Sequence, residues 1–127
     1  MARYATDLGI GDYIVFQDTD DYAFSQDSVF LANMAKLSSS DAVLDLGCGS
    51  GILSTLALVK KHVKKAVGIE LQPRVADMAR DSAIQNGLQD KFEVICADVK
   101  DIRSILKAES FDLSLIHISE PTRLGMI

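Results

Sequence analysis

The 127-residue chain has no apolar run approaching the roughly 18 residues that a membrane-crossing helix requires. Residues 1–12 show neither an apolar centre nor a cleavage-like end of the kind a secretory leader carries. The cytoplasm is therefore the expected compartment. Cysteine is scarce: Cys48 and Cys96 have neither metal-ligand nor CxxC spacing, so reduced thiols are expected, with no disulfide and no metal. Basic charge is in deficit, with 13 Lys and Arg against 18 Asp and Glu and a net charge of -5. This excludes a protein that coats nucleic acid by electrostatics alone, because counterion release needs clustered cations. Any RNA site must be local, or must lie in sequence not contained here. Internal repeats and low-complexity segments are also missing. What is present, 48% hydrophobic and 24% charged residues, is enough for a packed core and unlike the composition of a disordered chain.

Tyr13 to Gln17 reads as a short strand and Asp18 to Asp21 as a turn. Asp27 or Ser28 can cap a helix in which Phe30, Leu31, Met34, Ala35 and Leu37 follow helical spacing. From Ala42 the rhythm changes to alternating strand and helix. Ala42 to Leu46 reads as a buried strand, followed by a glycine-rich turn and an apolar helix from Ile52 to Lys60. A second strand covers Ala66 to Ile69. Pro73 takes the first position of a helix with Val75, Met78, Ala79, Ser82 and Ala83 on one stripe and Asn86-Gly87 as its stop. Phe92 to Cys96 is a third strand, Val99 to Lys107 a short helix, and Phe111 onward a fourth apolar run. The fold class expected is α/β, a Rossmann-like parallel sheet with helices on both faces, here incomplete with four strands. Residues 1–41 form an N-terminal strand and helix appendage to it.

Three features carry chemistry. In Asp45-Leu46-Gly47-Cys48-Gly49-Ser50-Gly51 a buried strand enters three glycines at alternate positions, where backbone can approach a ligand closely. The phosphate-cradling turn reads G-x-G-x-x-G, and the different spacing here disfavours a nicotinamide dehydrogenase. Asp45 would repel a pyrophosphate but suits a ligand ammonium group. The alternative is a tight strand-to-helix turn with no ligand. Glu70 ends the second strand about 20 residues after the last glycine, where a ribose-binding acid belongs; its carboxylate can accept both ribose hydroxyls. Asp98, just past the third strand, reaches the same end of the sheet, to accept a bond from a base amino group, to cap the helix starting at Val99, or to do both. The run Lys60 to Lys65 is expected to be a solvated helix end rather than an RNA patch.

Together these residues resemble the class I S-adenosylmethionine-dependent methyltransferases. The resemblance implies S-adenosylmethionine as cofactor and no metal, with Gly47, Gly49 and Gly51 and Asp45 at its methionine part, Glu70 on the ribose and Asp98 facing the adenine. A closer similarity runs from Asp7 to Asp112, through Asp7-Leu8-Gly9-Ile10, Gln17-Asp18, Phe24-Ser25-Gln26-Asp27, Leu31-Ala32, Ile69-Glu70-Leu71-Gln72 and Ala83 to Gly87. It resembles the bacterial valine-tRNA (adenine-N6)-methyltransferase family. That likeness implies tRNA as partner, places Asp27 beside the methionine end of the cofactor unless it serves only as the helix cap, and leaves Tyr22 and Phe24 to wall the site or fill the core. Release-factor glutamine methyltransferases and ribosomal-RNA guanine methyltransferases share the cofactor half, and a non-catalytic cofactor-binding domain is the alternative of another class.

The chain departs from that family after Asp112, where Asn-Pro-Pro-Tyr is expected to follow the fourth strand, hold the target amino group and stack on the extruded base. It reads instead Leu113-Ser114-Leu115-Ile116-His117-Ile118-Ser119-Glu120-Pro121-Thr122-Arg123. This string resembles a translated transposon-end sequencing adapter, so residues 113–127 are expected to be a non-native tail and 42–112 the cofactor-binding half of a methyltransferase domain. His117, Ser119 and Glu120 are not read as a catalytic triad, since a triad is oriented by a fold rather than by adjacency. Alternating Leu113, Leu115 and Ile118 can still complete a strand. With four strands of an expected seven, an open edge at the fourth and no catalytic motif, weak cofactor binding at best and no turnover are expected of the chain.

Overall fold

The computed structural model describes residues 2–19, 37–101, 103–104 and 115–118. Among the described residues, four strands form a parallel sheet: β3 (Ala42–Leu46), β4 (Lys65–Glu70), β5 (Phe92–Cys96) and β6 (Leu115–Ile118), in the spatial order β5-β4-β3-β6. Two more, β1 (Arg3–Asp7) and β2 (Ile14–Asp18), form a separate antiparallel hairpin. Among the described residues, two helices are seen along their length, α1 (Ile52–Lys60) and α2 (Pro73–Gln85), and a 3-10 turn covers Val99–Asp101.

The register of β3 on β4 runs from Ala42↔Lys65 to Leu46↔Ile69, and that of β4 on β5 from Ala66↔Phe92 to Glu70↔Cys96. Strand order therefore proceeds outward from β3 to β5, then returns to place β6 on the other side of β3. That reversal between β3 and β6 is the switch point at which open parallel sheets hold ligands, outside the carboxyl ends of the strands.

Alternation sorts the strand residues by face. Val43, Ala66, Phe92 and Val94 pack with Ala57 and Leu58 of α1 and Ala76, Ala79 and Ala83 of α2, so both helices lie on one face. Leu44, Leu46, Val67 and Ile69 form a second cluster on the opposite face, with Ile95, Ala97 and Val99 against it. Burial on both faces explains why β3 and β4 read as nearly continuous apolar runs.

Residues 52–58 of α1 are all buried, which a helix lying on a sheet with one side in water would not be. The hairpin supplies the second cover: Val15, with Leu8 and Ile10, packs on Ile52, Leu53 and Leu56. The outer edge of β2 meets α2 instead of solvent. Ile14 N–H donates to Asn86 Oδ1 (2.9 Å), Asn86 Nδ2 donates to the Ile14 carbonyl (2.7 Å), and Phe16 N–H donates to Ser82 Oγ (2.8 Å). These side chains satisfy backbone groups that an edge strand otherwise leaves open.

Several sequence expectations shift. The strand expected at Tyr13 to Gln17 lies one residue later, because Tyr13 closes the hairpin turn through its N–H to Ile10 O (3.2 Å) and its carbonyl to Leu8 N–H (3.1 Å). β1 was not anticipated; its residues are mostly exposed and carry no apolar period. The helix expected from Val99 begins as a 3-10 turn, held by Asp101 N–H on Asp98 O at 3.0 Å. Residues 103 and 104 are helical, and 105–107 lie outside the described residues, as do the helix expected after Asp27 up to residue 36, Tyr22 and Phe24. No helix among the described residues is long and apolar enough to cross a membrane.

Candidate cofactor-binding site

The glycine turn begins flush with the carboxyl edge of the sheet. Gly47 N–H and Cys48 N–H both donate to Ile69 O, at 2.8 and 3.0 Å, carrying the β3–β4 pairing beyond the end of β3. Gly47, Gly49 and Gly51 have φ of 69, 57 and 88°. Gly51 is the N-cap of α1 and is doubly constrained: beyond its left-handed φ, a Cβ there would stand 2.7 Å from Phe92 Cε2. Thr55 Oγ1 donates to Gly51 O (2.7 Å) and ties the turn to α1.

Glu70 is the last residue of β4 and is 0% exposed. Its Oε1 accepts Gly49 N–H at 3.0 Å and its Oε2 accepts Gln72 N–H at 3.0 Å. One carboxylate thus spans the glycine turn and the entry to α2, through charge-assisted bonds to backbone donors. The two residues lie 21 positions apart in sequence and are joined by this bond in the fold.

Asp45 is also 0% exposed, and Ser54 Oγ donates to its Oδ2 at 2.8 Å. It lies on the α1 face of β3 and holds the first turn of that helix from beneath, a contact that no local pattern in the sequence announces. Asp98 is half-buried, and its Oδ1 accepts Lys100 N–H at 3.0 Å, which realises the capping role. The preceding Ala97 N–H donates to Glu70 O (3.0 Å), so Asp98 stands at the same edge as Glu70. Asp27 lies outside the described residues. The structure therefore brings Asp45, Gly47, Gly49, Gly51, Glu70 and Asp98 to one end of the sheet.

Gly68 is a position whose role the sequence did not reveal. A Cβ there would stand 2.6 Å from Cys48 Sγ and 3.2 Å from Phe92 Cε1, so its bareness lets the turn settle onto the sheet. Cys48 is buried, while Cys96 is exposed and directs its thiol to Leu71 O (3.6 Å). In the basic run, Lys60, His62 and Lys64 are exposed, Val63 is buried in the core, and Lys65 pairs with Glu93 at 3.7 Å. His117 lies opposite Asp45 in the β3–β6 register, whereas Ser119 and Glu120 lie outside the described residues.

Residues 43–124 match the model of a methyltransferase domain family. The chain is 44% identical over 68 residues to ribosomal protein L11 methyltransferase of Haemophilus influenzae (strain PittEE), and 42% identical over 67 residues to that of Enterobacter sp. (strain 638). These matches cover 54% and 53% of this chain and 22% of each relative, so the chain spans about a fifth of the relatives' length. Among solved structures, the fold is similar to an RNA methyltransferase from Salinibacter ruber in complex with S-adenosyl-L-homocysteine (TM-score 0.61, 21% identity, 77% of this chain and 60% of that one). It is also similar to M. capricolum TrmK in complex with S-adenosyl-homocysteine (TM-score 0.63, 15% identity, 76% and 41%). With a family model matching well over half of its residues onto this sheet and glycine turn, the chain belongs to the methyltransferase-domain family.

Proposed function

We propose that the carboxyl end of the sheet binds S-adenosylmethionine and that the whole protein methylates the exocyclic amino group of an adenine in tRNA. The carrying observation is Glu70, a buried carboxylate gripped by Gly49 N–H and Gln72 N–H. A carboxylate offers about four acceptor positions, and the paired hydroxyls of a ribose can occupy two of them. The residues present fit the cofactor. Because protein atoms cover Glu70 entirely, a ribose that reaches it displaces a covering group.

In this reading Gly47, Gly49 and Gly51 let the backbone approach the methionine part. Asp45 places negative charge beneath the turn, favourable to the ligand's ammonium group, while holding α1 through Ser54. Asp98 offers its carboxylate to the adenine amino group and caps the following turn at the same time. Asp27 is assigned to the methionine end on the sequence resemblance. The bound cofactor supplies an electrophilic methyl group for in-line attack by an aromatic amine; the chain's own contribution is position and electrostatics.

The target assignment rests on the similarity from Asp7 to Asp112. Asn-Pro-Pro-Tyr does not follow Asp112, and residues 113–127 are assigned as a non-native tail, so the chain is expected to bind cofactor without turning over. A second reading has specific support: the ribosomal-protein methyltransferase relatives match the cofactor half, which a protein-directed enzyme would share. Tritiated S-adenosylmethionine tests both. The chain should retain the label in equilibrium dialysis, release it to S-adenosylhomocysteine but not to NAD, and transfer none to unmodified valine tRNA. A protein carrying the native continuation should label that tRNA and leave ribosomal protein unlabelled. The converse labelling favours the second reading, and multiple turnovers by the present chain contradict the assignment of the tail.

A further inference from the structure

Arg74 stands in the first turn of α2, where a positive charge opposes the helix dipole, and that turn has no acidic residue of its own. The compensating anion comes from the hairpin. Asp18, the last residue of β2, is 5% exposed, and its Oδ2 lies 3.2 Å from Arg74 Nη1. β2 runs antiparallel to α2: Ile14 is clamped by Asn86 at the helix C-terminus, Phe16 by Ser82 further back, and Asp18 reaches Arg74 at the N-terminus. Two residues before Arg74, Gln72 N–H grips Glu70 Oε2. The ion pair and the grip on Glu70 thus share one short piece of backbone, the entry to α2.

We propose that Asp18 and Arg74 are positioning residues for the ribose site, a latch that fixes the entry to α2 and so holds Gln72 N–H on Glu70. The inference rests on the reading of Glu70 as the ribose-binding acid. The latch explains an arginine where the helix dipole disfavours one. It also gives the hairpin a task beyond covering α1, because its last residue ends at the cofactor edge of the sheet. Removing the guanidinium takes a cation from beside Asp18, a nearly buried carboxylate, so the entry to α2 rearranges instead of merely loosening.

The test compares Asp18→Asn, Arg74→Met, Arg74→Lys and Asn86→Ala with the unaltered chain. S-adenosylhomocysteine affinity is read by calorimetry, and protection of the Gln72 amide by hydrogen exchange. Asp18→Asn and Arg74→Met should each weaken binding about tenfold, the scale of one charge-assisted bond, and speed exchange of the Gln72 amide while amides within β3 and β4 hold. Arg74→Lys, which keeps the cation, should recover most of the affinity. Asn86→Ala, which undocks the hairpin at the far end of α2, should lower the melting temperature yet stay within about twofold in affinity, below half the free energy of a tenfold change. Affinity unchanged in Asp18→Asn and Arg74→Met overturns the latch while leaving the cofactor reading intact. Equal losses in Asn86→Ala overturn it too, by showing general destabilisation. An unaltered chain that binds no ligand removes the cofactor reading and the latch together.

Discussion

At Gly68 a single methyl group has no room. An added Cβ would press on Cys48 Sγ at 2.6 Å and Cys48 Cβ at 2.8 Å, both parts of a buried residue on the glycine turn. Gly68→Ala is expected to cost about 1–3 kcal/mol, the scale of overpacking in a dense core. Chemical denaturation of the variant checks this, and Cys48→Ala in the same chain should restore part of the loss by removing the sulfur. His62 presents the opposite case: it is exposed, has a φ of 57°, and follows the C-cap of α1. A non-glycine residue in that conformation carries strain, so His62→Gly is expected to raise stability by about 0.5–1 kcal/mol, seen as a higher melting temperature. Single residues were legible in the sequence where a motif exposed them, as with Gly49 and Glu70. They were illegible where significance lies in distant partners. Ser54 under Asp45, Gly68 under Cys48 and Asp18 against Arg74 follow no local period, because each contact is made only when the sheet and helices assemble.

Among the elements, the parallel strands and both helices were readable because local signals agreed with the fold: Pro73 at the start of α2, Gly87 with φ of 70° past its end, and apolar runs in β3 and β4. The hairpin was half-read. β2 announces itself through Ile14, Val15 and Phe16, whereas β1 is a mostly exposed edge strand whose partner, not its composition, makes it a strand. Asn86 read as a helix stop and proves also to be the clamp on β2, its amide making both bonds of an Ile14 backbone pair. Asn86→Ala is therefore expected to destabilise the protein by about 1–3 kcal/mol, since it strands two partly buried backbone groups. Hydrogen exchange should then show Ile14 and its neighbours in the hairpin losing protection before the β3–β4 ladder. Equal loss throughout would show that the hairpin does not open separately.

For the whole molecule, the sheet order β5-β4-β3-β6 places the reversal between β3 and β6, and those residues named from sequence that the structure describes, Asp45, Gly47, Gly49, Gly51, Glu70 and Asp98, gather at that carboxyl edge. The alternation of strands and helices in the sequence carried the parallel α/β class, while the strand order comes from the structure. The sequence carried the chemistry less far, since the glycine turn, Glu70 and Asp98 point to a cofactor and not to a substrate. β6 shows why pattern alone does not report origin: a short apolar run pairs with β3 whether or not the stretch is native. Sequencing the source gene across the Asp112 codon, without transposon-based libraries, should reveal Asn-Pro-Pro-Tyr shortly afterwards; confirmation of Leu113 to Ile127 as encoded would leave a cofactor-binding remnant instead. The central claim, that Glu70 holds the ribose of S-adenosylmethionine, is tested most directly by calorimetric titration of S-adenosylhomocysteine into the chain and into Glu70→Gln. The substitution should weaken binding about 10–100-fold, and it should lower the melting temperature too, because the new amide NH2 faces one of the two backbone N–H donors that the carboxylate grips. Equal affinity in the two proteins, or no binding by either, would contradict it.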